Sequence, residues 1–155
     1  FEQKMFYYKL NLFYEDFVWQ GTKGTKSKNF LSPQWLRNIK GKKYPKWRLD
    51  TYFSKKKYSN LHFIKNGGWH FTCLKTPEEL EKKLLNFAHH FEYEESGLKL
   101  NDLKKLINEK RVMYDHNVDQ RGYKWSGKSK LEKVKISKLP SYISENMDKF
   151  KIWLD

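Results

Sequence analysis

Aromatic and apolar residues crowd the run from Met5 to Phe13 (Met-Phe-Tyr-Tyr-Lys-Leu-Asn-Leu-Phe), which predicts a strand with one polar-leaning side. Trp19 to Thr25 is punctuated by glycines and reads as a loop. At Ser32-Pro33-Gln34-Trp35, Ser as N-cap and Pro at the first helical position mark a helix start. Gly41 to Lys57 is basic, irregular and reads as an exposed loop. Two short strand-like runs, Asn60–Lys65 and Trp69–Leu74, flank Gly67-Gly68 and predict a hairpin around that pair.

The clearest helix signal follows. Thr76-Pro77-Glu78-Glu79 has the form of a capping box with Pro at N1 and carboxylates in the first turn, where the helix dipole favours them. Leu80, Leu84, Phe87, Ala88 and Phe91 then fall on one helical face, which predicts a helix over 77–91 packed on a sheet containing Met5–Phe13 and Trp69–Leu74. On that reading Phe87→Ala costs about 3–5 kcal/mol. A second helix begins near Asn101, with Leu103, Leu106 and Ile107 inward. From Lys110 to Lys135 no period is sustained, save for a possible strand at Leu131–Ile136. Leu139 to Ile143 starts a short helix, and Asn146 caps a last turn carrying Phe150, Trp153 and Leu154.

Composition narrows the class. Aromatic residues make up 17% of 155, too many for a disordered basic tail, and the length suits a single domain. The net charge is +14, but only Arg37, Arg48, Arg111 and Arg121 are arginine among 32 basic residues. Base readout and bidentate phosphate binding favour arginine's planar fork, so the charge supports diffuse attraction to anions and argues against sequence-specific nucleic-acid recognition. Cys73 is the single cysteine, which excludes an internal disulfide and a cysteine-based zinc site. No run has the length of a membrane span, and no charged-then-apolar leader pattern is expected at the start of these residues. Phe1 in place of an initiator methionine suggests a start inside a longer protein.

Candidate chemistry centres on Asn66 to Cys73. Gly67 and Gly68 permit positive φ or close approach of a ligand, Trp69 offers a flat face for a sugar or base, and His70 offers a proton or a metal ligand. A buried turn with satisfied core residues is the plainer reading of the same eight residues. His89-His90 fits a helix C-terminus, and Glu92, Glu94 and Glu95 read as a solvated run. The chain has no Asp-x-Asp, no Walker loop and no clear carboxylate pair.

Five blocks, in order, are Phe6-Tyr7-Tyr8-Lys9-Leu10-Asn11, Trp19-Gln20-Gly21-Thr22-Lys23, Ser32-Pro33-Gln34-Trp35-Leu36-Arg37, Gly67-Gly68-Trp69-His70-Phe71 and the Pro77–His89 helix. With Leu139 to Ile143 and Asn146 to Trp153 they resemble glycosyltransferase family 17, the family of the β-1,4-mannosyl-glycoprotein β-1,4-N-acetylglucosaminyltransferase. The resemblance implies an α/β chain, a short mixed sheet with packed helices, forming the C-terminal, acceptor-side part of a GT-A-like fold. The nucleotide-sugar-binding half with its acidic metal motif would precede residue 1, so the isolated chain is expected to be inactive. It further implies a UDP-sugar donor (GlcNAc expected), a glycan acceptor and Mn²⁺ or Mg²⁺. His70 would then be the metal or diphosphate ligand, Trp69 a sugar-stacking wall, and Lys23, Gln34 and Arg37 substrate contacts. No general base is identifiable. A bacterial or viral relative would be cytoplasmic or membrane-peripheral, a eukaryotic bisecting-type enzyme Golgi-lumenal. The competing readings are a basic, aromatic-rich nucleic-acid-binding module, with Tyr44 to Tyr58 as its stacking segment, and a non-catalytic carbohydrate-binding remnant.

Overall fold

The computed structural model describes residues 1–87, 90–118 and 122–155. It is a mixed α/β chain with a four-stranded sheet and packed helices. Contacts divide it into two compact units: an inserted unit, Phe1–Gln3 with Val18–Gly68, and a sheet unit, Lys4–Phe17 with Trp69–Asp155. Every buried apolar residue among those described belongs to the sheet unit.

The sheet has the order β3-β1-β2-β4, with β1 at Gln3–Tyr7, β2 at Leu12–Trp19, β3 at Trp69–Thr72 and β4 at Glu132–Lys133. β3 runs parallel to β1, pairing Met5 with His70 and Tyr7 with Thr72, while β4 is antiparallel to β2. The predicted single strand Met5–Phe13 is therefore two strands broken at residues 8–11. Tyr8 makes the break in the left-handed region (φ 64°), its amide bonded to the Thr72 carbonyl and its hydroxyl accepting from the buried Met113 amide. The predicted hairpin is also absent: Asn60–Lys65 forms no strand, and β3 finds its partner in β1, more than sixty residues away.

Alternation along paired strands sends neighbours to opposite faces of the sheet. Phe6 and Phe71 share one face, their ring centroids 5.3 Å apart, over a cluster with Leu10, Leu139 and Ile143. Met5, Tyr7, His70 and Thr72 belong to the other face. That division decides where the candidate chemistry points.

The capping box forms as predicted: Thr76 Oγ1 accepts from the Glu79 amide and Glu79 Oε2 from the Thr76 amide. The helix it starts, α3, spans Pro77–Leu85 and buries Leu80 and Leu84. It ends six residues earlier than predicted. Asn86 closes it by donating from Nδ2 to the Lys82 carbonyl, and a separate helix, α4, runs from His90 to Ser96. The partners of α3 are α4 and α5 (Leu100–Asn108), where Leu103 is fully buried and Lys104 reaches Glu78 at 2.8 Å. Phe87 and Phe91, predicted as core, are 49% and 70% exposed, and Ala88 and His89 lie outside the described residues. Phe87→Ala is therefore expected to cost less than about 1 kcal/mol in urea unfolding, not the 3–5 of a core phenylalanine.

At the C-terminal end, helices α6 (Ser141–Glu145) and α7 (Met147–Phe150) lead to a clasp on the β1–β2 turn. The Asp155 amide donates to Asn11 Oδ1 at 2.8 Å, Asn11 Nδ2 returns a bond to the Asp155 carbonyl, and the Leu10 amide donates to Trp153. In the inserted unit, Ser32 caps α1 (Pro33–Asn38) as predicted, accepting from the Trp35 amide. The segment read as a plain loop, Gly41–Lys57, carries a short helix α2 at Asp50–Phe53.

Candidate functional site

The glycine pair has structural work. Gly68 adopts φ +120°, which L-residues rarely take, and a Cβ on Gly67 would stand 2.9 Å from Phe1 Cβ and 3.1 Å from the Ile64 carbonyl. The turn thus delivers the chain directly into β3, whose first two residues are Trp69 and His70.

Trp69 is 40% exposed, and its indole nitrogen donates to the Lys138 carbonyl at 3.1 Å, so one edge is fixed while the ring reaches solvent. His70 is half-buried on the sheet face it shares with Tyr7 and Thr72. Burial lowers its pKa below the usual histidine value, which favours the neutral imidazole. Lys23, Gln34 and Arg37 belong to the inserted unit. Lys23 Nζ donates to the carbonyls of Arg37 and Ile39, placing a cation at the C-terminal end of α1, where the helix dipole favours one. Burial, and secondarily Lys40, lowers its pKa. It also lines a pocket of about 370 Å³ with Lys26, Lys40, His62 and the apolar Leu36 and Ile39. Gln34 bonds Asn38 on the exposed surface, and Arg37 is exposed. The predicted contacts therefore fall in two groups: Trp69 and His70 in the sheet unit, and the other three in the inserted unit.

Within the sheet unit, the face carrying Tyr7 and Thr72 looks onto a cavity of about 330 Å³, though His70, on the same face, is not among its lining residues. Tyr7 and Thr72 line its floor, with Lys83, Phe87, Glu92, Tyr114, His116 and Trp125 around them. Glu92, Tyr114 and Trp125 also line a wider, more open depression of about 710 Å³. Glu92 and Glu95, read from the sequence as solvated charges, thus border concave surface.

Sequence reasoning missed His116. It stacks on Phe17 (4.8 Å between centroids) and meets the Tyr114 ring edge-on at 5.0 Å, and Tyr114 in turn meets Trp125 at 5.2 Å. Burial, followed by the positive field of Lys124, lowers its pKa, and His70 acts on it in the same direction. The neighbouring Asp115 fixes the segment. Its carboxylate, nearly fully buried, accepts from Tyr14 Oη at 2.7 Å, Ser129 Oγ at 2.6 Å and the Asn117 amide at 2.9 Å. Burial alone would raise the Asp115 pKa, but these three donors outweigh it and hold the group below the usual carboxylate range. Tyr14 is pushed up to about 12 by burial and stays a donor. The one signal in the sequence was Tyr114-Asp115-His116 itself, a polar-aromatic triplet inside a lysine-rich loop. Cys73, beside this face, is buried and its thiol is pushed up, so it remains protonated and a poor nucleophile.

Among the described residues no three His, Cys, Asp or Glu side chains gather as a metal-binding group. Comparison with known proteins gave no matching family model, no matching curated protein and no matching solved structure.

Proposed function

We propose that this chain is the acceptor-side part of a GT-A-like glycosyltransferase of the β-1,4-N-acetylglucosaminyltransferase type, which moves a sugar from a UDP-sugar to a glycan hydroxyl. The observation that carries the reading is the cleft of the sheet unit. Its aromatic walls, Tyr114 and Trp125, suit the apolar C–H face of a pyranose, and Glu92, His116 and Lys83 supply polar groups around it. The ordered sequence blocks that resemble family 17 support the same class.

Transfer requires an acceptor hydroxyl to lose its proton and a diphosphate to depart. His116 lines the cleft and is held toward its neutral form, which makes it the candidate base for the hydroxyl proton. Asp115 acts on it indirectly, by fixing the backbone on either side through Tyr14, Ser129 and Asn117. His70, also favoured neutral, suits a nitrogen donor to a divalent ion. Mn²⁺ or Mg²⁺ would supply charge neutralisation of the departing diphosphate. From the described residues such an ion would take this one ligand and find its carboxylates elsewhere. Trp69, expected as a sugar-stacking wall, alternates to the opposite sheet face and is tied there to the Lys138 carbonyl, so the aromatic walls of this cleft are Tyr114 and Trp125 instead.

The test has two arms. Calorimetric titration with mannose- and GlcNAc-containing oligosaccharides is expected to show binding that Trp125→Ala weakens about tenfold or more. In a chain that also carries the nucleotide-sugar half, His116→Gln is expected to keep glycan binding and lower transfer from UDP-GlcNAc by about 10²–10⁴. Absence of both glycan binding and transfer would overturn the reading.

A further inference from the structure

Residues 40–57 of the inserted unit combine exposed charge with an unusual cluster of exposed large apolar side chains. The loop is built rather than frayed. Its stem is closed by the Lys40 amide, which donates to the Lys56 carbonyl at 2.8 Å. Within it, the amides of Arg48, Thr51 and Tyr52 donate to Pro45, Arg48 and Leu49, and Ser54 Oγ accepts from the amides of Lys56 and Lys57. Its one carboxylate, Asp50, is bound by Arg48 Nε and Lys57 Nζ, each at 2.7 Å. The same two cations lie over the Tyr44 ring, 5.3 and 5.9 Å from its centroid.

Beside these exposed ionic groups, large apolar side chains also stand in solvent. Phe53 is 90% exposed, Trp47 81%, Leu49 74% and Tyr52 71%. Leu49, Tyr52 and Phe53 stand at i, i+3 and i+4 around α2 and so project to one side. A loop needing only solvation would expose its ionic side chains, as this one does, but would not set four large apolar ones beside them. Around them the segment carries eight basic residues, Lys40, Lys42, Lys43, Lys46, Arg48 and Lys55 to Lys57, against the single Asp50.

We propose that this loop docks the protein onto an anionic lipid bilayer, with Trp47, Leu49, Tyr52 and Phe53 entering the boundary between headgroups and acyl chains and the lysines lying among the phosphates. Aromatic rings beside lysines are what that boundary favours, and polybasic segments are drawn to anionic leaflets. Attachment would be peripheral, since among the described residues no helix is long and apolar enough to cross a membrane. A nucleic-acid strand fits less well. Leu49 offers a base no ring to stack on, and the one arginine, Arg48, is already engaged by Asp50 and Tyr44. The inference is independent of the transferase reading and stands or falls separately from it.

The decisive experiment is co-sedimentation of the full chain with vesicles of phosphatidylcholine alone or with about 30% phosphatidylglycerol. The protein is expected to pellet with the anionic vesicles. The double variant Trp47→Ser, Phe53→Ser should lower the partition coefficient about 10- to 100-fold. Replacing Lys42, Lys43, Lys46, Lys55 and Lys56 by Gln should remove the preference for anionic lipid. Brominated acyl chains should quench tryptophan emission of the unaltered protein, and Trp47→Phe should bind yet lose most of that quenching, a readout that holds even if the serine variant folds poorly. Failure to bind anionic vesicles, or binding without quenching, would overturn the proposal. So would tight binding of single-stranded oligonucleotide, or self-association, that the serine variant abolishes while vesicles bind neither protein.

Discussion

His70→Ala is expected to lower sugar transfer by about 10²–10³, the scale for losing one contact to charge that develops in the transition state. On the proposed function, the assay calls for a chain in which a nucleotide-sugar-binding half accompanies these residues. His70 is half-buried on an edge strand, and its backbone pairing with Met5 survives the substitution, so the melting temperature should move little. The depressed pKa adds a second readout. Because burial favours the neutral ring, activity that depends on His70 should persist below the ordinary histidine range near 6.5 before protonation removes it. A variant that melts early yet keeps full specific activity in its folded fraction would make His70 a packing residue and sink its functional role.

Asp115→Ala carries the largest expected cost in stability, about 3–5 kcal/mol. It strips the acceptor from the fully buried Tyr14 hydroxyl, from the half-buried Ser129 hydroxyl and from the Asn117 amide, and a buried donor left unpaired costs about 1–3 kcal/mol. The same network sets a pH dependence. Asp115 titrates lower in the folded protein than in the unfolded chain, near 3.9 there, so its contribution is complete above that value. It is lost as pH falls through the folded pKa, because the unfolded chain then binds the proton more readily. The difference in urea midpoint between wild type and Asp115→Asn should be smaller at pH 3 than at pH 7, because only the wild type has a carboxylate there whose contribution acid can remove. Equal stability of Asp115→Ala and wild type at pH 7 would show that the three hydrogen bonds to this carboxylate contribute nothing.

How much of this was legible in the sequence depended on whether the cause was local. Thr76-Pro77-Glu78-Glu79 and Ser32-Pro33 specify helix starts through bonds spanning three residues, and both form as read. Leu80, Leu84 and Leu103 lie on legible helical faces and are buried. The end of α3 was not legible. Phe87 and Phe91 prolong the apolar spacing, yet the chain turns at Asn86, with no glycine or proline to mark the stop. The break at Tyr8 was hidden for a related reason: a bulky residue rarely takes positive φ, and here long-range bonds to Thr72 and Met113 hold it there. Parallel pairing of β3 with β1 leaves no local mark either.

The candidate site divides the same way. His70 was readable because Gly67-Gly68-Trp69 brackets it in one stretch. His116 was not, since its significance comes from the distant Phe17 stacking on it and from Trp125 meeting its neighbour Tyr114.

The clasp between Asn11 and Asp155 has a consequence for biosynthesis. Residues 144 positions apart exchange two hydrogen bonds, and Lys9 Nζ reaches the Ile152 carbonyl from the same turn. The strands on either side of this turn leave the ribosome well before the residues that lock it, which lie 144 positions further on. Until then the turn's amides and the apolar cluster of Phe6 and Leu10 lack Leu139, Ile143 and Trp153 as partners. Contacts of such wide separation close slowly, and a growing chain with that cluster open is a natural client for a holding chaperone.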